Sequence, residues 1–405
     1  MRHLKIRLSI GDILFLAAMS LAVAFPQPSS YKALAIVAFF GYTVVVSLGR
    51  GFSTKNAMQY FWAIVFGGYC YFSKVWSVLP EAANEVLNNV LWSMLLSVAV
   101  VNYVVINRYD VYDIVKRLIF VIVVFVLNIL ANGDYVKDRL TLIMGDYSLN
   151  ANAFGQIAIS LACFLLYCCK KRGWRNFWFT ALLIALVVFA LLSGSRKVLI
   201  SIGIYAVMIL MYEYPPTDFT KMFVRPLIIV GVLGFALLCI MNIEGLYATL
   251  GVRIESALAF FSGDDTADGS AATRMQMIET AWNMFTQKPI TGYGLNTFAE
   301  IAGFNAYAHN NYLELLANLG LVGVLLYYCP LLVYLRKAFW NWRRGYIHSV
   351  LPLSIIAVSI ISDIGMVSYF TMVSHSFLAL AIGMSINISS NPERELKAPA
   401  QEEQD

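Results

Sequence analysis

Residues 88–106 read NNVLWSMLLSVAVVNYVVI, a run without one charged side chain. That length and composition suit a helix crossing a bilayer, which needs about 18–20 apolar residues. Working outward, similar runs recur along the 405-residue chain. The sequence predicts twelve spans, at about 12–25, 32–49, 57–73, 88–106, 118–131, 151–169, 176–193, 198–212, 226–242, 312–335, 349–362 and 366–388. The shorter ones must borrow flanking residues or be buried within the bundle. Composition agrees: 60% of residues are hydrophobic and 13% charged, against about 25% charged in soluble domains. The expected fold is an all-α polytopic membrane protein of about 12 transmembrane helices with one long extracytoplasmic loop. A soluble globular fold is excluded.

Charge distribution sets the expected orientation. With the N-terminus inside, only Lys32, Lys74, Lys137, Arg139, Arg196, Lys197, Arg253, Arg274 and Lys288 of the 29 basic residues fall outside. That bias follows the positive-inside rule and places both termini in the cytoplasm. The opening MRHLKIRLSIGD is basic before an apolar stretch but precedes no convincing cleavage site, so it is read as leading into a first span. The six cysteines sit in or beside apolar runs, which argues against a disulfide framework or a zinc site. The organisation expected is helices 1–9 over 1–242, the outside loop over 243–311, helices 10–12 over 312–388 and a polar cytoplasmic tail over 389–405. Within the loop, Met275, Ile278, Trp282 and Phe285 share one face of a helix over Ala271–Phe285, the pattern of an interfacial helix. Pro289 ends it, and Gly292-Tyr293-Gly294 makes a tight turn.

Few places in such a chain can carry chemistry. Arg196 lies in Ser193-Gly194-Ser195-Arg196-Lys197, a short outer junction between two spans. It is either a snorkelling basic turn or a phosphate fork, since guanidinium donors match phosphate oxygens. Arg274 could pair with Asp264, Asp265 or Asp268, or serve the same anion. His309, in Asn305-Ala306-Tyr307-Ala308-His309-Asn310-Asn311-Tyr312-Leu313-Glu314, sits where the loop meets the membrane. Its imidazole could exchange a proton or bind phosphate, or it could be an interfacial residue beside the helix start at Asn310 and Asn311. Asn150-Ala151-Asn152 reads as an N-cap. Gly292-Tyr293-Gly294 lacks the strand–turn–helix setting of a phosphate loop. No metal-ligand spacing is present, and no cofactor is expected.

Taken together, Ser193-Gly194-Ser195-Arg196, Arg274, Lys288-Pro289-Ile290-Thr291-Gly292-Tyr293-Gly294-Leu295-Asn296-Thr297-Phe298 and Ala308-His309-Asn310-Asn311-Tyr312-Leu313-Glu314 resemble the O-antigen polymerase and O-antigen ligase superfamily. Leu149-Asn150-Ala151-Asn152-Ala153-Phe154-Gly155 is similar to its Asn-Pro-Asn segment, with Ala151 in the proline's place. The strong part covers about residues 190–325; the N-terminal spans match only in topology. The resemblance implies a GT-C-like, metal-independent, inverting glycosyltransferase of the bacterial inner membrane, using an undecaprenyl-diphosphate-linked glycan at the outer leaflet. It implies catalytic roles for Arg196, Arg274 and His309, with Ser195, Lys197, Asn310, Asn311, Tyr293 and Asn152 as substrate contacts. The implied partners are the lipid-linked glycan, membrane lipid and a chain-length regulator, with no nucleic acid. Three functions are compared: a polymerase of repeat units, a ligase transferring glycan to lipid A–core, and a transporter of lipid-linked oligosaccharide. The compact outside loop and Ser-Gly-Ser-Arg-Lys favour the polymerase. The nearly charge-free spans argue against the transporter.

Overall fold

A computed structural model of the chain describes residues 8–50, 54–136, 139–172, 176–213 and 269–390, with short pieces between 231 and 255. The expected ninth span, most of the loop up to residue 268, the three aspartates at 264, 265 and 268, and the tail from 391 lie outside the described residues. The helices are α1 (Ile10–Val23), α2 (Ser30–Arg50), α3 (Ala57–Phe72), α4 (Ala83–Ile106), α5 (Val111–Asn132), α6 (Ala151–Arg172), α7 (Phe177–Leu192) and α8 (Arg196–Glu213). They continue with α9 (Gly269–Gln287), α10 (Thr297–Ile301), α11 (Asn311–Arg343), α12 (Val350–Ser362) and α13 (Met372–Ser390). Among the described residues α2, α4, α5, α6, α11 and α13 are long and apolar enough to cross a membrane, and α1, α7, α8 and α12 are shorter apolar helices. The protein is a multi-pass, mainly helical membrane protein. Leu34, Val45, Ile64, Leu127 and Leu130 point outward, as lipid-facing side chains can where water would penalise them.

The all-α expectation needs one correction. Between α5 and α6 the chain forms a small antiparallel sheet: β1 (Gly133–Val136), β2 (Arg139–Met144) and β3 (Tyr147–Ser148), with β2 in the middle. Gly145, at φ 60°, and Asp146 turn β2 into β3, pairing Ile143 with Ser148. Leu140, Thr141 and Leu142 are buried, so this flap is packed down onto the helix ends instead of standing in solvent. A Gly-Asp pair between two short β-prone runs is a hairpin signal, here lost beside the stronger apolar periodicity.

Eight helices close into a ring. Each packs on the next in the order α1, α2, α4, α13, α12, α8, α6, α5 and back to α1. In its core Phe15 of α1 stacks on Tyr103 of α4, ring centroids 4.7 Å apart, and Phe39 of α2 meets Tyr103 edge-on at 5.6 Å. At one end Asp12 of α1 accepts from Arg117 of α5 and from Tyr103, and Tyr109 adds a hydrogen bond at 3.3 Å. This buried ion pair ties three helices together, and its full hydrogen bonding offsets the desolvation of both charges.

Outside the ring, α11 packs on α3, α12 and α13, and α9 packs on α11. The path of α11 breaks at Gly320, φ 65° and ψ −167°. The break frees backbone groups that the Lys288–Phe298 turn takes up. Tyr293 and Gly294 donate their N–H groups to the carbonyls of Ala317 and Asn318 at 3.0 and 2.8 Å. In return Leu321 and Val322 donate to Pro289 and Ile290 at 2.8 and 3.2 Å. A Cβ on Gly292 or Gly320 would strike that neighbouring backbone, and both have positive φ, which glycine adopts without steric cost. The glycine-bearing turn is therefore a splice joining the loop to a helix. The α9 helix is as expected, but its buried face is Met277, Ala281 and Met284 against Phe298, Ala308 and Ala317. Met275 and Trp282, on the face read from the sequence, are exposed. Both faces are apolar, so α9 is clamped on one side and left open on the other.

Candidate active site

One end of the ring is hollow. A cavity of about 830 Å³ is lined by the end of α1, the starts of α2, α4, α6 and α8, the end of α12 and the start of α13. Helices that alternate in direction bring these termini to one side, the opposite side from the Asp12–Arg117 pair. The volume lies in the upper part of the roughly 300–1,000 Å³ span of small-molecule sites.

His309 enters this cavity on a shaped loop. The Ala308 N–H donates to Glu314 at 2.6 Å, and the second Glu314 oxygen accepts from Asn318 at 2.9 Å. Asn310 caps α11 through bonds to the N–H groups of Tyr312 and Leu313, at 3.0 and 3.1 Å. Held between these anchors, His309 takes φ 53°, a left-handed conformation uncommon outside glycine, though enriched in His and Asn. Tyr307 packs edge-on against the imidazole at 4.5 Å. Burial, with the positive charges of Arg274 and Lys197, lowers the His309 pKa to about 4. The imidazole is thus neutral at pH 7 and can accept a proton.

The two cations that act on His309 come from distant points in the chain. Arg274 is on α9, half-buried; Lys197 is in the first turn of α8 and lines the cavity. Arg196 opens α8, and its side chain lies outside the described residues. Asp363, just past α12, is buried against the cavity wall and feels the charge of Lys197; burial raises its carboxyl to about 7. It accepts from Tyr328 at 2.7 Å and Asn311 at 3.2 Å. Asn152 lines the cavity and accepts from Arg139 at 2.7 Å. The Arg139 Nε also donates to the Ser193 carbonyl at 2.7 Å. Arg139 therefore splints the Ser193–Arg196 turn to the start of α6.

Not every expected contact faces the cavity. Asn311 is wholly buried, and its amide bonds Tyr328, Asp363 and the N–H groups of Ser368 and Tyr369. It is a clip between α11 and the α12–α13 connection, with no capacity left for substrate. Asn310 is a helix cap. The Tyr293 hydroxyl donates to Gln287 at 2.6 Å and its ring lies under Lys288, away from the cavity lining. Ser195 is buried behind the turn, its Oγ without a hydrogen-bond partner. Sequence reasoning passed over Lys32, Glu85, Arg139, Glu314 and Asp363. The signal was present for several, as ionisable residues at the ends of apolar helices. Among the described residues no group of three or more His, Cys, Asp and Glu side chains is placed to hold a metal ion.

The cluster at Lys197, Arg274 and His309 falls within residues 181–328, which match the family model described as O-antigen ligase. The chain resembles the O-antigen polymerase and ligase superfamily. No curated protein matches it. The matched segment supplies the imidazole, the α9 arginine and Lys197 of α8. The cavity's other walls, from α1, α2, α4, α6, α12 and α13, lie outside it. Members of this superfamily are glycosyltransferase-like enzymes acting on lipid-linked glycans.

Proposed function

We propose that the protein joins undecaprenyl-diphosphate-linked oligosaccharide repeat units at the outer face of the bacterial inner membrane. The observation that carries this reading is that His309 and Lys197 line one large cavity, with the charges of Arg274 and Lys197 both acting on the imidazole. Two or three cations suit a diphosphate, and a base beside them suits a hydroxyl nucleophile. The acceptor oxygen attacks the anomeric carbon from the face opposite the diphosphate. As the new C–O bond forms, the bond to the diphosphate breaks, and polyprenyl diphosphate leaves with the electron pair. Arg274, Lys197 and Arg196 stabilise that developing charge. The hydroxyl proton passes to His309, whose basicity rises once a bound diphosphate reverses the surrounding field. The donor already holds the energy of a glycosyl diphosphate, so no nucleotide sugar is required. Twelve spans with both termini in the cytoplasm fit this placement, and a chain-length regulator is the expected protein partner.

The second reading is transfer of glycan to lipid A–core, favoured by the description of the matching family. Transport is disfavoured by the cavity's position at one set of helix ends, away from the mid-depth expected of a transporter. Purified protein in liposomes, given lipid-linked repeat units with and without a core acceptor, tests all three. Longer lipid-linked chains without core are expected. Product only with core would establish the ligase, and lipid movement without bond formation would overturn both.

A further inference from the structure

The cavity has a second flank that the diphosphate chemistry does not use. Glu85, Asn88, Asn89 and Trp92 lie at spacings of three and four residues, so they share one face of α4, and all four line the cavity. Lys32 of α2 joins them, only 4% exposed, with its Nζ held by the Gln27 carbonyl at 2.7 Å. In the helix ring α2 and α8 stand on opposite sides, four packing steps apart either way. The strip on α4 is separated from Lys197 on α8 by α13 and α12, so the two line different walls of one cavity. An acid and a base of opposite sign, two amides and an indole face have no preference for an anion. They do match a polyol: amides and carboxylate hydrogen-bond paired hydroxyls, and the indole covers the apolar face of a sugar ring.

We propose that Lys32, Glu85, Asn88, Asn89 and Trp92 form a saccharide subsite that holds the acceptor glycan. The assignment rests on the glycosyl-transfer reading, and it gives donor and acceptor separate walls of the cavity. A sugar stacked on Trp92 occupies the cavity that His309 also lines, which lets one of its hydroxyls reach the imidazole.

The test uses full-length protein in nanodiscs and the oligosaccharide repeat unit released by mild acid from the host's own glycan. Wild type should bind it in both saturation-transfer NMR and calorimetry. Trp92→Ala and the pair Asn88→Ala with Asn89→Ala should weaken binding at least tenfold, whereas Trp92→Phe should retain most of it. Unchanged binding in Trp92→Ala and in the asparagine pair overturns the subsite, as does a wild type that joins lipid-linked units yet binds no free oligosaccharide. Failure of the transfer reading looks different: oligosaccharide is bound but lipid-linked units are never joined.

Discussion

The two ends of the helix ring both bury charge, with opposite results. At the end away from the cavity Asp12, Arg117, Tyr103 and Tyr109 satisfy one another, and Ser9 adds a 2.8 Å bond from its N–H to Asp12. At the cavity end Lys32, Lys197, His309 and Asp363 surround open volume. A closed polar network locks helices together; an open one is ready for a ligand. The same helices thus carry a fastening at one end and a site at the other, because alternate directions put unlike termini side by side.

The comparison can be broken in order of expected effect. Replacing His309 by Ala should cost about 10²–10⁴ in rate with little change in melting temperature, measured as glycan joined by reconstituted protein. Near-normal product would remove His309 from the chemistry. At the end away from the cavity, Arg117→Ala leaves Asp12 buried without its cation and should cost about 3–5 kcal/mol of stability. Its folded fraction should keep near-normal turnover, so loss of turnover without loss of stability would contradict a purely structural role there. Gly320→Ala forces an L side chain into a left-handed position against the Ile290 carbonyl. That strain, about 1–3 kcal/mol, should loosen the splice to α9, raising amide exchange at Tyr293 and Gly294 before it lowers the melting temperature.

The smallest effect is in pH. The folded His309 pKa of about 4 lies below the ordinary 6.5, so the unfolded chain takes up the proton first. Stability from this group is complete above pH 6.5 and falls as pH drops towards 4. Labelled-histidine NMR should show a neutral ring at pH 5 in the empty protein, and a raised pKa when polyprenyl diphosphate binds. A ring already charged at pH 6 without ligand would contradict the electropositive setting.

Much of this protein is legible one residue at a time. Apolar runs place the helices, and a loop histidine beside a helix start stands out in a chain with four histidines. The motif around Gly292 was legible as backbone geometry but not as a splice, because its partner is a break in a helix that hydropathy reads as continuous. Asn311 looked like a ligand contact since its neighbours matched the motif; folding turns it inward, where four groups use it. Glu314 could not be assigned from pattern alone, because its task is to hold the Ala308 N–H six positions earlier.

By itself, the sequence determined the medium and the helical class, because those follow from local composition and period, and it offered candidate residues for chemistry. Only the tertiary structure decided which of them meet. The ring order of α1, α2, α4, α13, α12, α8, α6 and α5 gathers Lys197, Asp363, Trp92 and Lys32 around the cavity that His309 enters. That arrangement depends on packing between helices far apart in the chain, and apolar surfaces that are nearly interchangeable in sequence do not encode which neighbour each will choose.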